Sequence, residues 1–217
     1  YMKTETIAQT VLEAGISANL ACGAVYFGDP ADFSPEKCND CANHIRLYEN
    51  WHNAGDGQIL VDASIHAEYT SCPPAWEWVA DFARKHGLRM HVHVSETCSE
   101  HEKCIEKYGE TPAQVLDKYG VWANGGIAAH CVYLSGGDAE LFAKRGVTAV
   151  HNPVSNLKLM SGVAPLFFLR DCGMSVALGT DGVASNNSHN MFEEMKVAAL
   201  TQNWNFGEEH GQLQAAD

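Results

Sequence analysis

Basic residues are scarce in this 217-residue chain: 14 Lys and Arg stand against 27 Asp and Glu, a formal net charge of −13. That balance repels a polyanion unless a local basic patch opposes it. Lys144-Arg145 and Arg84-Lys85 are isolated pairs on helix-like segments, so no nucleic-acid partner is expected. Long hydrophobic runs are missing too. No stretch reaches the roughly 18 apolar residues of a membrane-spanning helix, so no membrane partner is expected. The opening Tyr1-Met2-Lys3-Thr4-Glu5-Thr6 lacks the basic-then-apolar pattern of a secretory signal. It also lacks an initiator Met, and Tyr1 runs almost directly into a helix pattern, which reads as a cut within a longer protein. What is present is ordinary for a globular protein: 46% apolar residues, and length enough for one domain with a real core.

Eight cysteines (Cys22, Cys38, Cys41, Cys72, Cys98, Cys104, Cys131 and Cys172) would suit a disulfide framework only in a small secreted chain. In a long chain without a secretory signal they read as free thiols of a cytoplasmic protein. Several lie in apolar runs, where Cys packs as a small hydrophobe.

Short apolar runs alternate with amphipathic stretches. The pattern predicts a helix over Thr4–Ala14, a strand over Ile16–Tyr26, a helix over Cys41–Trp51 and a strand over Ile59–Ile65. Trp76–Lys85 reads as a helix closed by Gly87, followed by the strand Arg89–Val94. One or two helices fill Glu100–Tyr119, one opening at Thr111-Pro112. The strand Gly126–Cys131, the helix Asp138–Arg145 and the strand Val147–His151 come next. Leu166–Cys172 reads as helical, Ser175–Gly179 as a strand and Met191–Asn203 as a final helix. Such alternation implies an α/β fold of six parallel strands joined by right-handed crossovers, with one unpaired helix at the front. An open doubly wound sheet and six-eighths of a barrel both satisfy it.

The placement of polar residues favours the barrel. His66 ends the second strand, His93 the third with Glu96 just beyond, His130 the fourth and His151-Asn152 the fifth, while Asp181 follows the sixth. A closed barrel gathers those ends on one face, where barrel enzymes build their sites; an open sheet spreads them along an edge. Taken singly each has a plainer reading, since His-Asn-Pro is reasonable loop chemistry and Asp-Gly favours turns. His91 shares a face with His93. His44, His52, His86, His101 and His210 are expected on the surface. Two motifs are set aside. Cys38-Asn39-Asp40-Cys41 has zinc-ligand spacing without a second pair, so it reads as an incidental loop pair. His66-Ala67-Glu68 matches half of the cytidine-deaminase signature, but no Pro-Cys-x-x-Cys follows.

His93-Val94-Ser95-Glu96-Thr97, Ala129-His130-Cys131-Val132, His151-Asn152-Pro153-Val154-Ser155-Asn156-Leu157-Lys158-Leu159, Leu178-Gly179-Thr180-Asp181-Gly182 and Ala184-Ser185-Asn186-Asn187 occur in that order. Together they resemble the amidohydrolase superfamily members that deaminate S-adenosylhomocysteine and 5′-methylthioadenosine, with triazine chlorohydrolases and guanine-type deaminases sharing much of the pattern. The resemblance implies a (β/α)8 barrel, here strands three to eight over residues 1–217, without strands one and two and the flanking small β-domain. It implies a divalent metal, zinc or alternatively iron, with His93 and Asp181 as ligands. Glu96 would be the proton shuttle, His130 would hydrogen-bond the reacting centre, and His66, Glu96 and Asn156 would contact a small-molecule substrate. Asp181 would take a proton from the attacking water, whose pKa the metal lowers. The implied reaction is hydrolytic deamination of an aminated purine-like heterocycle; triazine-type chlorohydrolase activity and a non-catalytic nucleobase-binding barrel are the alternatives.

Two departures from the family pattern shape the expectation. The family's first two ligands form a His-x-His pair after barrel strand one, upstream of Tyr1; His91-Val92-His93 has that spelling on a different strand. The chain thus supplies two of four ligands and is expected to be weakly metal-binding and nearly inactive alone. Relatives acting on adenosyl thioethers also carry arginines near strands three and four, where this chain offers only Arg46, which speaks against adenosylhomocysteine itself. An incomplete barrel exposes apolar strand edges, so a homo-oligomer is expected.

Overall fold

The computed structural model describes residues 4–211 and Leu213; Tyr1–Lys3, on which the reading of an interrupted start falls, lie outside the described residues. The first helix, α1 (Thr4–Ala14), stops at Gly15, whose φ of +70° only a residue without Cβ adopts cheaply. Strand β1 is Ala18–Ala21, shorter than the expected 16–26. It pairs in parallel with β2 (Ile59–Ala67), Ala18 opposite Ile59 and Ala21 opposite Asp62, and one further bridge joins Ala24 to Ile65. Beyond Ala24 the backbone donors leave the ladder: Val25 N–H goes to Asp40 Oδ2 at 3.0 Å and Tyr26 N–H to the Thr70 carbonyl at 2.8 Å. Side-chain competition of this kind is invisible to periodicity.

Between those strands lie α2 (Asn39–Trp51) and the short turn α3 (Ala54–Gly57), with Gly55 and Asp56 left-handed. Helix α4 (Pro73–His86) begins directly after its N-cap Cys72 on paired prolines and ends at left-handed Gly87; β3 (Met90–Val94) follows. Next come α5 (Cys98–Tyr108), α6 (Pro112–Lys118), β4 (Gly126–His130), α7 (Gly136–Arg145) and β5 (Val147–His151). The chain closes with α8 (Pro153–Lys158), α9 (Leu166–Asp171), β6 (Ser175–Leu178), α10 (Val183–Asn186) and α11 (Met191–His210). Helix α8, unforeseen, starts on Pro153. The six strands are hydrogen-bonded in chain order, β1-β2-β3-β4-β5-β6, as expected for successive β–α crossovers.

The chain divides into two compact units, Tyr1–Val92 with Leu116–Gly126, and His93–Val115 with Ile127–Asp217. Leu47, Ile59, Ile65, Trp76, Met90 and Trp122 are fully buried in the first, Phe142 and Leu169 in the second. In the first unit Gly126 is dictated by space: a Cβ there would lie 2.2 Å from the Met90 carbonyl oxygen. His44, expected on the surface, is instead buried under α2. Its Nδ1–H donates to the Asp40 carbonyl at 2.8 Å, and its Nε2 accepts from the Ser64 N–H. A helical His on the sheet-facing side can be satisfied by backbone groups, which a lone residue in a sequence does not announce.

Candidate active site

In β3 the alternation puts Met90, Val92 and Val94 on a buried face and His91 and His93 on the other, partly open one. The chain then turns sharply through Ser95, left-handed at φ +50°. The turn is held by Glu100, in the first turn of α5, whose carboxylate accepts N–H bonds from Ser95 at 2.9 Å and Glu96 at 2.8 Å. Thr97 completes the reciprocal cap by accepting from Glu100 N–H at 3.2 Å. Burial pushes the Glu100 carboxyl up to about 7, against the pull of its three backbone donors. The result is Glu96 presented at a fixed place.

Glu96 Oε1 accepts from Ser161 Oγ at 3.1 Å, and Glu96 Oε2 lies 3.7 Å from His130 Nε2. His130 ends β4 at φ +73°, followed by Cys131 at +52°. It is 2% exposed, with its ring centroid 5.2 Å from that of His93. His130 Nδ1 lies 2.7 Å from Asn156 Oδ1, so Nδ1–H donates and the Nε2 edge is turned to Glu96. Asn156 is 0% exposed; its Nδ2 donates to His151 Nδ1 at 3.3 Å. His151, at the end of β5, therefore carries its proton on Nε2, a buried atom with no hydrogen-bond partner. Burial, reinforced by His130, lowers His151 to about 4, so it is neutral.

Register across the last strand pair sets His151 opposite Leu178, three residues before Asp181. Asp181 is left-handed at φ +57°. Its Oδ2 accepts from Ser155 Oγ at 2.6 Å and its Oδ1 from Gly182 N–H at 2.6 Å. Burial acts to raise its carboxyl, but those two bonds and the nearby His130 and His93 outweigh it and hold Asp181 below the usual carboxylate range. Lys158 ties the following loop down through the Ala184 carbonyl and Asn187. Buried Glu194, on α11, bonds Val154 N–H at 3.1 Å and Asn186. Ser95, His130, Cys131 and Asp181 thus place left-handed non-glycine backbone at three strand ends, the kind of conformation that costs about 1–3 kcal/mol each and gathers at functional sites.

The second unit therefore brings together His93, Glu96, His130 and Asp181. Asn156 sits in the same unit, fully enclosed, its amide taken up by two histidines. His66 is the penultimate residue of β2 in the first unit, half-buried, with Nδ1 3.2 Å from Thr70 Oγ1. Sequence reasoning overlooked Ser155, Ser161 and Glu100, polar residues that hold others; the only signal was their position within the His151–Leu159 and His93–Thr97 motifs or just after them. Among the described residues no group of three or more His, Cys, Asp or Glu side chains is placed to hold a metal ion. Nor, among them, is any helix long and apolar enough to cross a membrane.

The amidohydrolase family pattern matches residues 3–217. The chain belongs to the amidohydrolase family. Within that family it is 40% identical over 200 residues to a 5-methylthioadenosine/S-adenosylhomocysteine deaminase of Acetivibrio thermocellus, covering 92% of this chain and 45% of that protein. It is 41% identical over 212 residues to a 5′-deoxyadenosine deaminase of Methanospirillum hungatei, covering 94% and 45%. An adenosine deaminase from Xanthomonas campestris, crystallised with zinc, superposes with a TM-score of 0.87 at 31% identity, over 98% of this chain and 47% of that one. The fold class is thus that of a partial (β/α)8 amidohydrolase barrel, and this amidohydrolase chain spans about half the length of the curated relatives it matches.

Proposed function

We propose that this chain carries the downstream half of the active site of a metal-dependent aminohydrolase, which exchanges the amino group of a purine-like ring for oxygen from water. The carrying observation is the cluster of His93, Glu96, His130 and Asp181 at three strand ends within one unit. Relatives near 40% identity named for adenosine derivatives support the choice of ring.

The donor chemistry fits a divalent ion. His93 offers an imidazole nitrogen, and Asp181 offers a carboxylate kept charged by Ser155 and Gly182, a set that suits zinc or iron. These two residues would hold the metal, with further ligands from outside this chain. When bound, the ion supplies the Lewis acidity that brings the pKa of a water toward neutrality. Asp181 then accepts the proton of the attacking water. Glu96, oriented by Ser161, delivers a proton to the ring nitrogen next to the amine-bearing carbon, making that carbon a better electrophile. His130 faces the reacting centre through Nε2, its orientation fixed by Asn156. Asp181 passes the water's proton to the amino nitrogen, the proton left on the incoming oxygen returns to Glu96, and ammonia leaves as the C–N bond breaks.

Asn156 we assign to positioning instead of to substrate contact, since it has no exposed surface. His66, steadied by Thr70, remains our candidate for touching the substrate. Arg46 is exposed and bonded to Asn43, which agrees with a neutral thioether or nucleobase in preference to adenosylhomocysteine. Zinc, a cytoplasmic location and a homo-oligomer complete the reading. The test is ammonia release from 5′-methylthioadenosine, adenosine and guanine by the protein extended upstream to the length of its relatives. Zinc-dependent release lost in Glu96→Gln is expected; zinc-independent release, or none from any aminated ring, overturns the proposal.

A further inference from the structure

Cys38-Asn39-Asp40-Cys41 is not an incidental loop pair. Cys38 is the N-cap of the 13-residue helix α2 and Cys41 lies in its first turn. An N-cap and the third residue of the helix it opens lie one turn apart on the same side, the placement of Cys-x-x-Cys pairs at helix starts. The two thiols meet in a side-chain hydrogen bond. Their surroundings differ. Cys38 is partly exposed at the N-cap of α2, where a small disulfide can reach it. Cys41 is 2% exposed, and burial, the Cys38 thiol and the nearby Asp40 and Glu36 carboxylates raise its pKa. That asymmetry, an accessible attacking thiol over a buried resolving one, is the arrangement of Cys-x-x-Cys redox pairs beside β–α units.

We propose that Cys38 and Cys41 form a reversible dithiol–disulfide pair that exchanges with low-molecular-weight disulfides, a site separate from the deaminase residues. The Cys38 thiolate attacks one sulfur of the small disulfide, forming a mixed disulfide and expelling one small thiolate. Cys41 then loses its proton to solvent and attacks the Cys38 sulfur, closing the protein disulfide and expelling the second small thiolate. Two electrons pass from the protein thiols to the small disulfide, which leaves as two thiols. Asp40 lies between the pair in sequence, and its carboxylate accepts the Val25 N–H at 3.0 Å.

The sequence makes the test simple, because cleavage after Lys37 and Arg46 releases Cys38–Arg46 with both cysteines and no other. The native chain is equilibrated in oxidised and reduced glutathione, alkylated, cleaved and weighed. The proposal expects this peptide to lose two hydrogens and escape alkylation in oxidising buffer, and to be doubly alkylated after return to reduced glutathione. Cys41→Ser should trap one glutathione on Cys38, and Cys38→Ser should leave Cys41 unmodified. Double alkylation of the native peptide in oxidising buffer overturns the proposal. So does a persistent glutathione adduct on native Cys38, or pairing of either cysteine with exposed Cys98.

Discussion

Replacing Asn156 tests the buried chain His130–Asn156–His151 most sharply. Asn156→Ala removes the acceptor of His130 Nδ1–H and the donor to His151 Nδ1, both within a region closed to water. Each orphaned group costs about 1–3 kcal/mol, so the pair predicts a loss of about 2–6 kcal/mol. In a chain of this size that lowers Tm by roughly 2–4 °C per kcal/mol. Asn156→Asp behaves differently. A carboxylate accepts from both rings, so His151 can move its proton from Nε2 to Nδ1, and most of the stability returns. Urea unfolding gives the free energies, and nitrogen-15 chemical shifts of the rings give the tautomers. The native chain should show His130 protonated on Nδ1 and His151 on Nε2, with His151 switching in Asn156→Asp. Equal stability of Asn156→Ala and native chain, or a native His151 proton on Nδ1, refutes the network.

His151, lowered from its ordinary 6.5 to about 4, takes up its proton only after the unfolded chain has done so. Stability should therefore fall as pH drops from about 6.5 to 4, by about 3 kcal/mol at 1.36 kcal/mol per unit; urea midpoints across that range check it, and His151→Gln should flatten the slope. Glu100 shows the opposite sign. Its carboxyl, raised to about 7 chiefly by burial, favours the protonated fold, so stability should decline as pH rises from about 4.5 to 7. A carbon-13 titration with a midpoint below 5 would remove that expectation. Gly126→Ala drives a Cβ into Met90 backbone at a φ of +156° and should cost more than about 3 kcal/mol, measured by chemical unfolding. In the upstream-extended enzyme, Glu96→Gln should reduce turnover by about 10²–10⁴-fold while the unfolding midpoint is unchanged.

The strand order and most helix positions were legible because apolar periodicity and caps are local. Gly87 and Thr111-Pro112 mark helix ends through backbone preferences that any sequence displays. The placement of His93, His130, His151 and Asp181 at strand ends followed from the same periodicity. What stayed hidden depends on contacts distant in sequence. Pairing with β2 goes no further than Ala24 because Asp40 and Thr70 capture the donors of Val25 and Tyr26, and Asp40 lies 15 residues away. His44 tolerates burial because backbone groups of α2 and β2 satisfy both its nitrogens, the Asp40 carbonyl accepting from Nδ1–H and the Ser64 N–H donating to Nε2. Ser161 reaches Glu96 across 65 residues, a pairing that no spacing rule signals. The resemblance implies a substrate contact for Asn156, and it is burial, which no motif shows, that favours a role in aiming its neighbours.

The central claim, that His93 and Asp181 are two ligands of a catalytic metal, is tested most directly by zinc content per chain in the upstream-extended protein, purified without chelator. Near-stoichiometric zinc in the native protein, falling severalfold or more in both His93→Ala and Asp181→Asn, is the predicted result. Stoichiometric zinc that survives both substitutions would contradict it.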